Sequence, residues 1–301
     1  ADMVGLDSSI ILPRQVWEAS GHVETFTDPL VESLHTHKRY RADHLLEAYE
    51  QKHGHPPANG LADVPDPETG QPGAWTEPQM FSGLMKTFLG PVDNEQGLHY
   101  MRPETAQGIF INFKNVQTTA RMKPPFGIGQ VGKAFRNEIV ARQFVFRMRE
   151  FEQMEMQFFC QPGTEMKWFE YWKKHRLAWH EALGMGDDNY RFHDHEKLAH
   201  YANAATDIEF RMPFGFKEVE GIHSRTDFDL SQHEKFSGRQ IKYFDPERNE
   251  NYTPYDVETS IGVDRMFLSV MCHSYTEEEL ENGSSRVVLK LPEPLAPVKC
   301  A

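Results

Sequence analysis

The chain has 301 residues, 39% hydrophobic and 12% aromatic, enough for one large core or for a core with a smaller lobe. Its formal net charge of −13 argues against a protein that holds nucleic acid by bulk electrostatic attraction. The apolar runs are too short to span a bilayer, no signal-peptide pattern opens the chain, and Cys160, Cys272 and Cys300 form no C-x-x-C pair, so we expect a cytoplasmic protein with reduced thiols and no membrane partner.

The N-terminal third predicts short elements separated by turns. Proline and glycine punctuate residues 2–32, which predicts short strands, or a strand and a helix. Residues 39–52 have apolar side chains at helical spacing and predict a helix. Residues 54–73 are rich in Pro, Gly and Asp, and predict a surface loop or an insertion.

The remainder predicts a sheet with helices around it. A helix should begin at Pro103, and residues 127–159 read as two antiparallel strands. Residues 164–183 form a tryptophan-rich amphipathic pattern that favours core packing over a cofactor site. Further strands are predicted at 207–212, 242–244 and 255–260, and a last helix at 262–274. Because strands and helices do not alternate regularly, the order predicts an α+β fold with an antiparallel β-sheet flanked by helices.

Charged and aromatic side chains alternate along the predicted hairpin. Strand residues point to opposite faces in turn, so Arg136 and Glu138 should share one face of the first strand. An aromatic ring can stack on a base while arginines neutralise phosphates, so this pattern indicates a nucleotide pocket. No glycine-rich phosphate loop occurs in the chain, so side chains would have to hold the nucleotide. On the second strand, the residues predicted to share a face are Arg147, Arg149, Phe151, Gln153, Glu155 and Gln157.

Several segments resemble one family of enzymes. The run Phe135-Arg136-Asn137-Glu138 followed by Arg147-x-x-x-Phe151 resembles motif 2 of the class II aminoacyl-tRNA synthetases. The segments 101–108 (MRPETAQG) and 225–230 (RTDFDL) resemble those of glycyl-tRNA synthetases of the homodimeric type, and 257–265 (VETSIGVDR) resembles class II motif 3. The similarity extends from about residue 4 to residue 299 and implies a class II catalytic core.

The resemblance implies ATP-dependent activation of glycine to glycyl-adenylate, then transfer to the 3′ end of tRNA(Gly). By resemblance, Arg136 and Arg265 are the catalytic residues: Arg136 would hold the α-phosphate and the glycine carboxylate, and Arg265 the γ-phosphate. Arg147 would contact the phosphate tail, Phe151 would stack on adenine, and Glu138 would accept from its amino group. Adenylation needs alignment and charge neutralisation, and arginine binds phosphate bidentately.

Glycine offers an ammonium, a carboxylate and no side chain. The resemblance assigns Glu104, Glu155 and Glu258 to the ammonium, with Ser260 beside them, and Arg225 near the substrate carboxylate. Three adjacent carboxylates should raise one another's pKa, and a bound cation would relieve their repulsion. We expect alanine to be rejected because its methyl group would clash, at a cost of roughly 1–3 kcal/mol.

The family resemblance raises the question of two metal ions, magnesium and zinc. The triphosphate implies Mg²⁺, whose protein ligands are not assigned; Asp256 is a candidate only by its position near motif 3. Some family members carry C-x-x-C where this chain has Ser33 to His37. Zinc prefers thiolates and imidazoles, so we expect no zinc site and read His35 and His37 as solvated.

The resemblance implies one catalytic domain over residues 1–298. In the family, an anticodon-binding domain would begin at about residues 295–301, where this chain ends. The family partners are glycine, ATP, the tRNA acceptor end and a second copy of the chain in a homodimer. Two alternatives stay open: a paralogue that binds nucleotide or glycine without charging tRNA, and an adenylating enzyme with another acceptor. Because Arg136, Glu138, Phe151 and Arg265 are all present, the enzyme is favoured over the first alternative.

Overall fold

A seven-stranded sheet forms the centre of the fold and confirms the α+β prediction. The computed structural model describes residues 2–299, so Cys300 lies outside the described residues. The strand order is β1-β8-β9-β15-β12-β11-β10, and every neighbouring pair is antiparallel except β1 and β8. The strands are β1 Met3–Gly5, β2 Ile11–Pro13, β3 Thr27–Glu32, β4 Arg39–Arg41, β5 Gln79–Ser82, β6 Met85–Phe88, β7 Leu98–Met101, β8 Phe126–Phe135, β9 Glu150–Cys160, β10 Tyr190–Asp194, β11 Ala204–Met212, β12 Gly215–Thr226, β13 Tyr243–Asp245, β14 Glu250–Tyr252, β15 Tyr255–Gly262, β16 Tyr275–Glu279 and β17 Ser285–Leu289.

Helices cover both faces of the sheet. On one face, α5 packs Trp168 and Trp172 against a core that includes Phe158, Ile208 and Val257, whereas Trp179, predicted to pack with them, is exposed. On the other face, α4 and α6 pack against part of the sheet through residues such as Phe126 and Phe159. The rest of that face stays open and carries polar side chains. The helices are α1 Arg14–Ala19, α2 His22–Thr25, α3 Ala42–His53, α4 Ala106–Thr119, α5 Glu165–Glu181, α6 Phe228–Ser237 and α7 Val263–Ser274.

The structure corrects the boundaries of two predicted helices. Residues 39–41 form strand β4, so the helix predicted at 39–52 begins at Ala42. The helix predicted from Pro103 begins at Ala106, which leaves Pro103 and Glu104 in the turn before it. That turn follows β7 and holds Glu104 beside the open part of the sheet rather than along a helix.

The hairpin prediction is right for the strands and wrong for the loop. Strand β8 ends at Phe135 and β9 begins at Glu150, so Arg136, Glu138, Arg147 and Arg149 do not lie on strand faces. They belong to a connecting segment, residues 136–149, which we call the motif 2 loop. Arg149 Nε donates to the Glu138 carbonyl oxygen over 2.9 Å, and this bond ties the two ends of the loop together.

The segment 54–73, predicted as a surface loop, is partly buried. It packs with β3, β4, β5 and α3 in a small lobe whose core includes Val31, Leu45 and Val64. Asp66 is 1% exposed and accepts hydrogen bonds from the Ser33 and Thr36 hydroxyls and from two backbone amides. A carboxylate therefore organises this lobe at the position considered for zinc. His35 and His37 are exposed, as predicted.

Replacing Phe126 by alanine tests the aromatic core beneath α4. Phe126 is fully buried and lies 5.9 Å from Phe113 and 5.7 Å from Phe159, between ring centroids. Truncation leaves a cavity, so we expect Phe126→Ala to lower the free energy of unfolding by about 3–5 kcal/mol in urea titrations. Phe144 is 77% exposed, and Phe144→Ala serves as the control with little expected loss. Equal losses for both variants would contradict this assignment of the core.

Candidate functional site

A deep pocket opens on the polar part of the sheet. Its floor is formed by β9, β15 and β12, and its rim by the motif 2 loop and the start of α7. All ten residues singled out from the sequence line this one pocket, although they come from six separate places in the chain. They are Glu104, Arg136, Glu138, Arg147, Phe151, Glu155, Arg225, Glu258, Ser260 and Arg265.

Cross-strand register assembles the floor of the pocket. Glu155 of β9 pairs with Ser260 of β15, which pairs with Gly221 of β12. Two residues further along each strand, a second row crosses the same three strands and consists of Gln157, Glu258 and His223. Because residues two apart on a strand share a face, both rows point into the pocket. The same alternation sends the apolar residues between them into the core beneath α5.

Three arginines lie at the rim of the pocket. Arg136 Nε donates to the Pro103 carbonyl oxygen over 3.1 Å, and its guanidinium carbon lies 5.3 Å from the centre of the Phe151 ring. Arg147 contacts the Glu138 carboxylate at 3.5 Å. Since this contact is long and partly exposed, it leaves the Arg147 guanidinium free to meet an anion.

Arg265 extends from the first turn of α7. Its Nε donates to the Phe146 carbonyl oxygen over 3.2 Å, and the guanidinium carbon lies 4.2 Å from the centre of the Phe146 ring. One terminal nitrogen also lies 3.3 Å from the Glu218 carboxylate. The helix N-terminus adds a partial positive charge beside this arginine. The rim therefore combines cationic groups and aromatic faces, which suits a nucleoside triphosphate.

Carboxylates lie at the opposite, buried end. Both oxygens of Glu258 are engaged: one accepts from His223 Nδ1 over 2.8 Å, the other from Arg225 over 2.8 Å and from Gln157 over 2.7 Å. Glu155 accepts from the Thr105 hydroxyl and from the Gln157 amide. Because three glutamates lie close together, the charge at this end of the pocket depends on which of them are ionised, and the neighbouring side chains decide that.

The three carboxylates do not raise one another's pKa uniformly. Burial would raise the pKa of Glu258, but Arg225 and His223 hold it well below its usual value. Burial opposes ionisation of Glu104 too, yet His22 at 3.4 Å and Arg225 lower its pKa to about 2. Only Glu155 has a raised pKa, because it is buried and faces the charges of the other two. The expectation of mutual raising is therefore right for Glu155 and wrong for Glu104 and Glu258.

Arg225 balances the buried acids. Its side chain is 2% exposed, and it donates through Nε and Nη2 to Asp229 over 2.9 and 3.1 Å and through Nη1 to Glu258. The Tyr201 ring centre lies 4.0 Å from its guanidinium carbon. Three of its five N–H groups are used in bonds within residues 2–299, which leaves two for another acceptor in the pocket.

Several pocket residues were not among those singled out. His223 and Gly221 lie on β12, a strand that the sequence reading missed because it has few apolar residues. Tyr201 lies in the connection before β11 and has no local signal beyond its type. Asp264 accepts from the Glu152 backbone amide over 2.7 Å and joins α7 to β9. The spacing of His223 two residues before Arg225 is the one signal that points to it.

Asp256 does not line the pocket. It is 2% exposed, and neither carboxylate oxygen has a hydrogen-bond partner among residues 2–299. Burial raises the pKa of this carboxyl well above its usual value, which favours the protonated form. The position of Asp256 outside the pocket lining does not support it as a ligand of a triphosphate-bound magnesium ion.

A second cavity adjoins the pocket between the motif 2 loop and the small lobe. The two cavities share Arg136, Glu138 and Arg147. Within the part of the chain that the structure describes, no acidic side chain forms an ion pair with Arg142 in this cavity. The tip of the loop carries Gln143 and Phe144 with φ of 61° and 55°, and Phe144 is 77% exposed. The other lining residues include Phe26, Arg39, Tyr40, Arg41 and His44.

Replacing Glu155 by glutamine tests the charge state of the pocket. A raised pKa in the folded state means that Glu155 supports folding at low pH and loses this contribution as pH rises through that pKa. We therefore expect Glu155→Gln to raise the midpoint of thermal unfolding more at about pH 8 than at about pH 5. Glu170→Gln, on the exposed face of α5, is the matched control with no such trend. A gain that does not depend on pH would contradict the raised pKa.

Comparison with known proteins agrees with this geometry. Residues 90–275 match the family model of the tRNA synthetase class II core domain (G, H, P, S and T). A glycine–tRNA ligase of Nocardia farcinica is 62% identical over the whole chain and 66% of its own length. Glycine–tRNA ligases of Corynebacterium efficiens and Corynebacterium glutamicum are 60% and 59% identical, each over the whole chain and 67% of their own length.

The matched region contains all ten of these residues, from Glu104 to Arg265, so the family model spans the entire pocket. The chain spans about two thirds of the length of the curated relatives it matches. With an identity near 60% over all its residues, this chain belongs to the glycine–tRNA ligase family of class II tRNA synthetases.

Proposed function

We propose that this chain activates glycine with ATP, forming glycyl-adenylate and pyrophosphate, and transfers glycine to the 3′ end of tRNA(Gly). The observation that carries the proposal is the separation of charge within one pocket, with arginines at the rim and carboxylates at the buried end. Glycyl-adenylate has the same polarity: an ammonium at one end and a phosphate with an adenosine at the other. The names of the relatives support the same reading.

The activation step is an in-line displacement at the α-phosphorus of ATP. An oxygen of the glycine carboxylate forms the new bond, the bond to pyrophosphate breaks, and no proton needs to move. Arg136 would contact the α-phosphate and the incoming carboxylate, and Arg265 and Arg147 the outer phosphates. Phe151 would stack on adenine and Glu138 would accept from its amino group. Neutralisation of the developing charge then supplies the catalysis.

Glycine would lie with its ammonium among Glu104, Glu155 and Glu258. Its carboxylate would face the two unused N–H groups of Arg225, with Ser260 beside the amino group. A bound ammonium would offset the repulsion that raises the pKa of Glu155. The crowded floor supports the proposal that the methyl group of alanine is excluded, which exchange assays with alanine in place of glycine would test.

Mg²⁺ would enter with the triphosphate and orient it. Among residues 2–299, no group of three His, Cys, Asp or Glu side chains is arranged to hold a metal ion. Magnesium commonly keeps several waters and binds through phosphates with one or two carboxylates. The pocket fits that mode, so we propose that the phosphate oxygens hold most of the coordination sphere.

The acceptor end of tRNA would lie in the second cavity, next to the activated carboxyl group. From there, the terminal 3′-hydroxyl would attack the carbonyl carbon of glycyl-adenylate, the ester bond would form, the bond to the phosphate would break, and AMP would leave with the hydroxyl proton on its phosphate. Arg142 would contact a phosphate and the exposed ring of Phe144 would stack on a base. A protein that only binds nucleotide or glycine is not favoured, because each of the ten residues is present in the pocket.

We also propose a cytoplasmic homodimer, as the family resemblance implies. Strand β1 is short and lies at the edge of the sheet, and the exposed side chains of Met3 and Val131 line the same surface cavity beside it. None of the helices within residues 2–299 is long and apolar enough to cross a membrane. Sedimentation that finds only monomer at micromolar concentration would contradict the dimer.

Removing the guanidinium of Arg136 should abolish activation. We expect Arg136→Ala to lower glycine-dependent exchange of pyrophosphate into ATP by a hundredfold or more, since a charged hydrogen-bond donor at the transferring phosphate contributes about 3–4 kcal/mol. Arg286→Ala, an arginine on the exposed strand β17, is the control and should keep full exchange. Full exchange in Arg136→Ala would contradict the proposal that adenylation takes place in this pocket.

Changes at the loop tip should separate activation from transfer. We expect Arg142→Ala and Phe144→Ala to keep pyrophosphate exchange within about twofold and to lower aminoacylation of tRNA(Gly) by about tenfold, as loss of one stacked base or phosphate contact implies. Exchange with no aminoacylation in the parent protein would instead indicate an acceptor other than tRNA. An equal fall in both assays would show that the loop tip serves the adenylation step.

A further inference from the structure

We propose that His223 is a positioning residue that holds Glu258 for the glycine ammonium and makes glycine affinity depend on pH. This inference rests on the proposed function of the same pocket. It extends that function because no step of the adenylation chemistry requires a histidine.

His223 is placed by the sheet and held by Glu258. The two residues are cross-strand partners in β12 and β15, and His223 Nδ1 lies 2.8 Å from Glu258 Oε1. That oxygen has no other hydrogen-bond partner within the described chain, whereas Oε2 accepts from Arg225 and Gln157. Loss of the imidazole would therefore free one oxygen and let the carboxylate rotate.

The imidazole ring of His223 lies close against the backbone of Gly221. A Cβ atom built on Gly221 would lie 2.8 Å from His223 Cε1, so the glycine leaves the space that the imidazole needs. The ring centre of His195 lies 6.1 Å from that of His223. The side chain is 19% exposed and lines the pocket, so it contacts the solvent that glycine would displace.

Charged groups surround His223 from each neighbouring strand. Glu258 faces it from β15, Asp207 from β11, and Arg225 and Glu218 from β12, while His195 bonds Asp207 at 2.8 Å. Burial alone would lower the pKa of His223, but the bond to Glu258 raises it above its usual value. The protonated form therefore persists toward neutral pH.

Protonation changes what Glu258 offers to the substrate. When His223 is protonated, Glu258 is balanced by two cations, Arg225 and the imidazolium, and attracts an ammonium less. When His223 is neutral, its Nδ1–H still orients the carboxylate, but one positive charge is gone. Glycine should therefore bind more tightly as pH rises through the pKa of His223.

The test is the pH dependence of the KM for glycine in pyrophosphate exchange. Between about pH 6 and about pH 8 glycine keeps its own charges, so we expect its KM in the parent to fall by about three- to tenfold. Because Glu155 also has a raised pKa and faces the ammonium, the comparison is made in the Glu155→Gln background. There, His223→Asn keeps an N–H donor near the Nδ1 position and cannot titrate, so it should lose the slope that Glu155→Gln alone retains. His223→Ala should raise the KM for glycine at both pH values with little change in the KM for ATP.

Two controls make the outcome specific. His175→Asn changes an exposed histidine on α5 and should keep the parent slope. In the same Glu155→Gln background, His22→Asn changes the histidine beside Glu104, so a slope lost there and kept in His223→Asn would overturn the proposal. The same slope in Glu155→Gln and in the Glu155→Gln/His223→Asn double variant would overturn it too. If the parent shows no exchange at any pH, the proposed function fails, and calorimetric glycine binding at the two pH values tests His223 in its place.

Discussion

The buried guanidinium of Arg225 is the interaction on which the pocket depends. It joins β12 to α6 through Asp229 and to β15 through Glu258, at 2% exposure. Removing it would leave the buried carboxylate of Asp229 without a cation and Glu258 with the imidazole of His223 alone, and breaking a buried pair in this way is strongly destabilising. Arg225 offsets part of the negative charge of the buried carboxylates. The remaining negative charge can still attract one more cation. A substrate ammonium is such a cation.

The alternation of side chains along the strands explains why one face of the sheet is apolar and the other carries the polar groups of the pocket. Along β9 and β15, one set of alternate residues packs beneath α5 while the other set lines the pocket. The rows Glu155–Ser260–Gly221 and Gln157–Glu258–His223 place acids, an amide and an imidazole side by side on rigid backbone. The arginines of the rim come instead from the motif 2 loop and the first turn of α7.

The α+β class and the long strands of the hairpin could be predicted from the pattern of strands and helices, and the ten pocket residues from the motifs that carry the family resemblance. Strand alternation misplaced Arg136, Glu138 and Arg147, because they lie in the motif 2 loop. Strand β12 was not predicted, since its core face is built from only a few apolar residues such as Val219 and Ile222 amid charged ones. The buried role of Asp66 was hidden within a segment of loop-like composition. The pKa values of the glutamates depend on contacts between distant segments, which a one-dimensional pattern does not contain.

The central claim is that one pocket recognises both ends of glycyl-adenylate by opposite charge. Calorimetric binding of a non-hydrolysable glycyl-adenylate analogue, with a sulfamate in place of the phosphate, tests it most directly. The claim predicts tighter binding than for glycine or ATP alone, weakened both by Glu258→Gln at the carboxylate end and by Arg136→Ala at the rim. Equal affinity for an analogue that lacks the amino group would contradict it, because the buried carboxylates would then play no part in recognition.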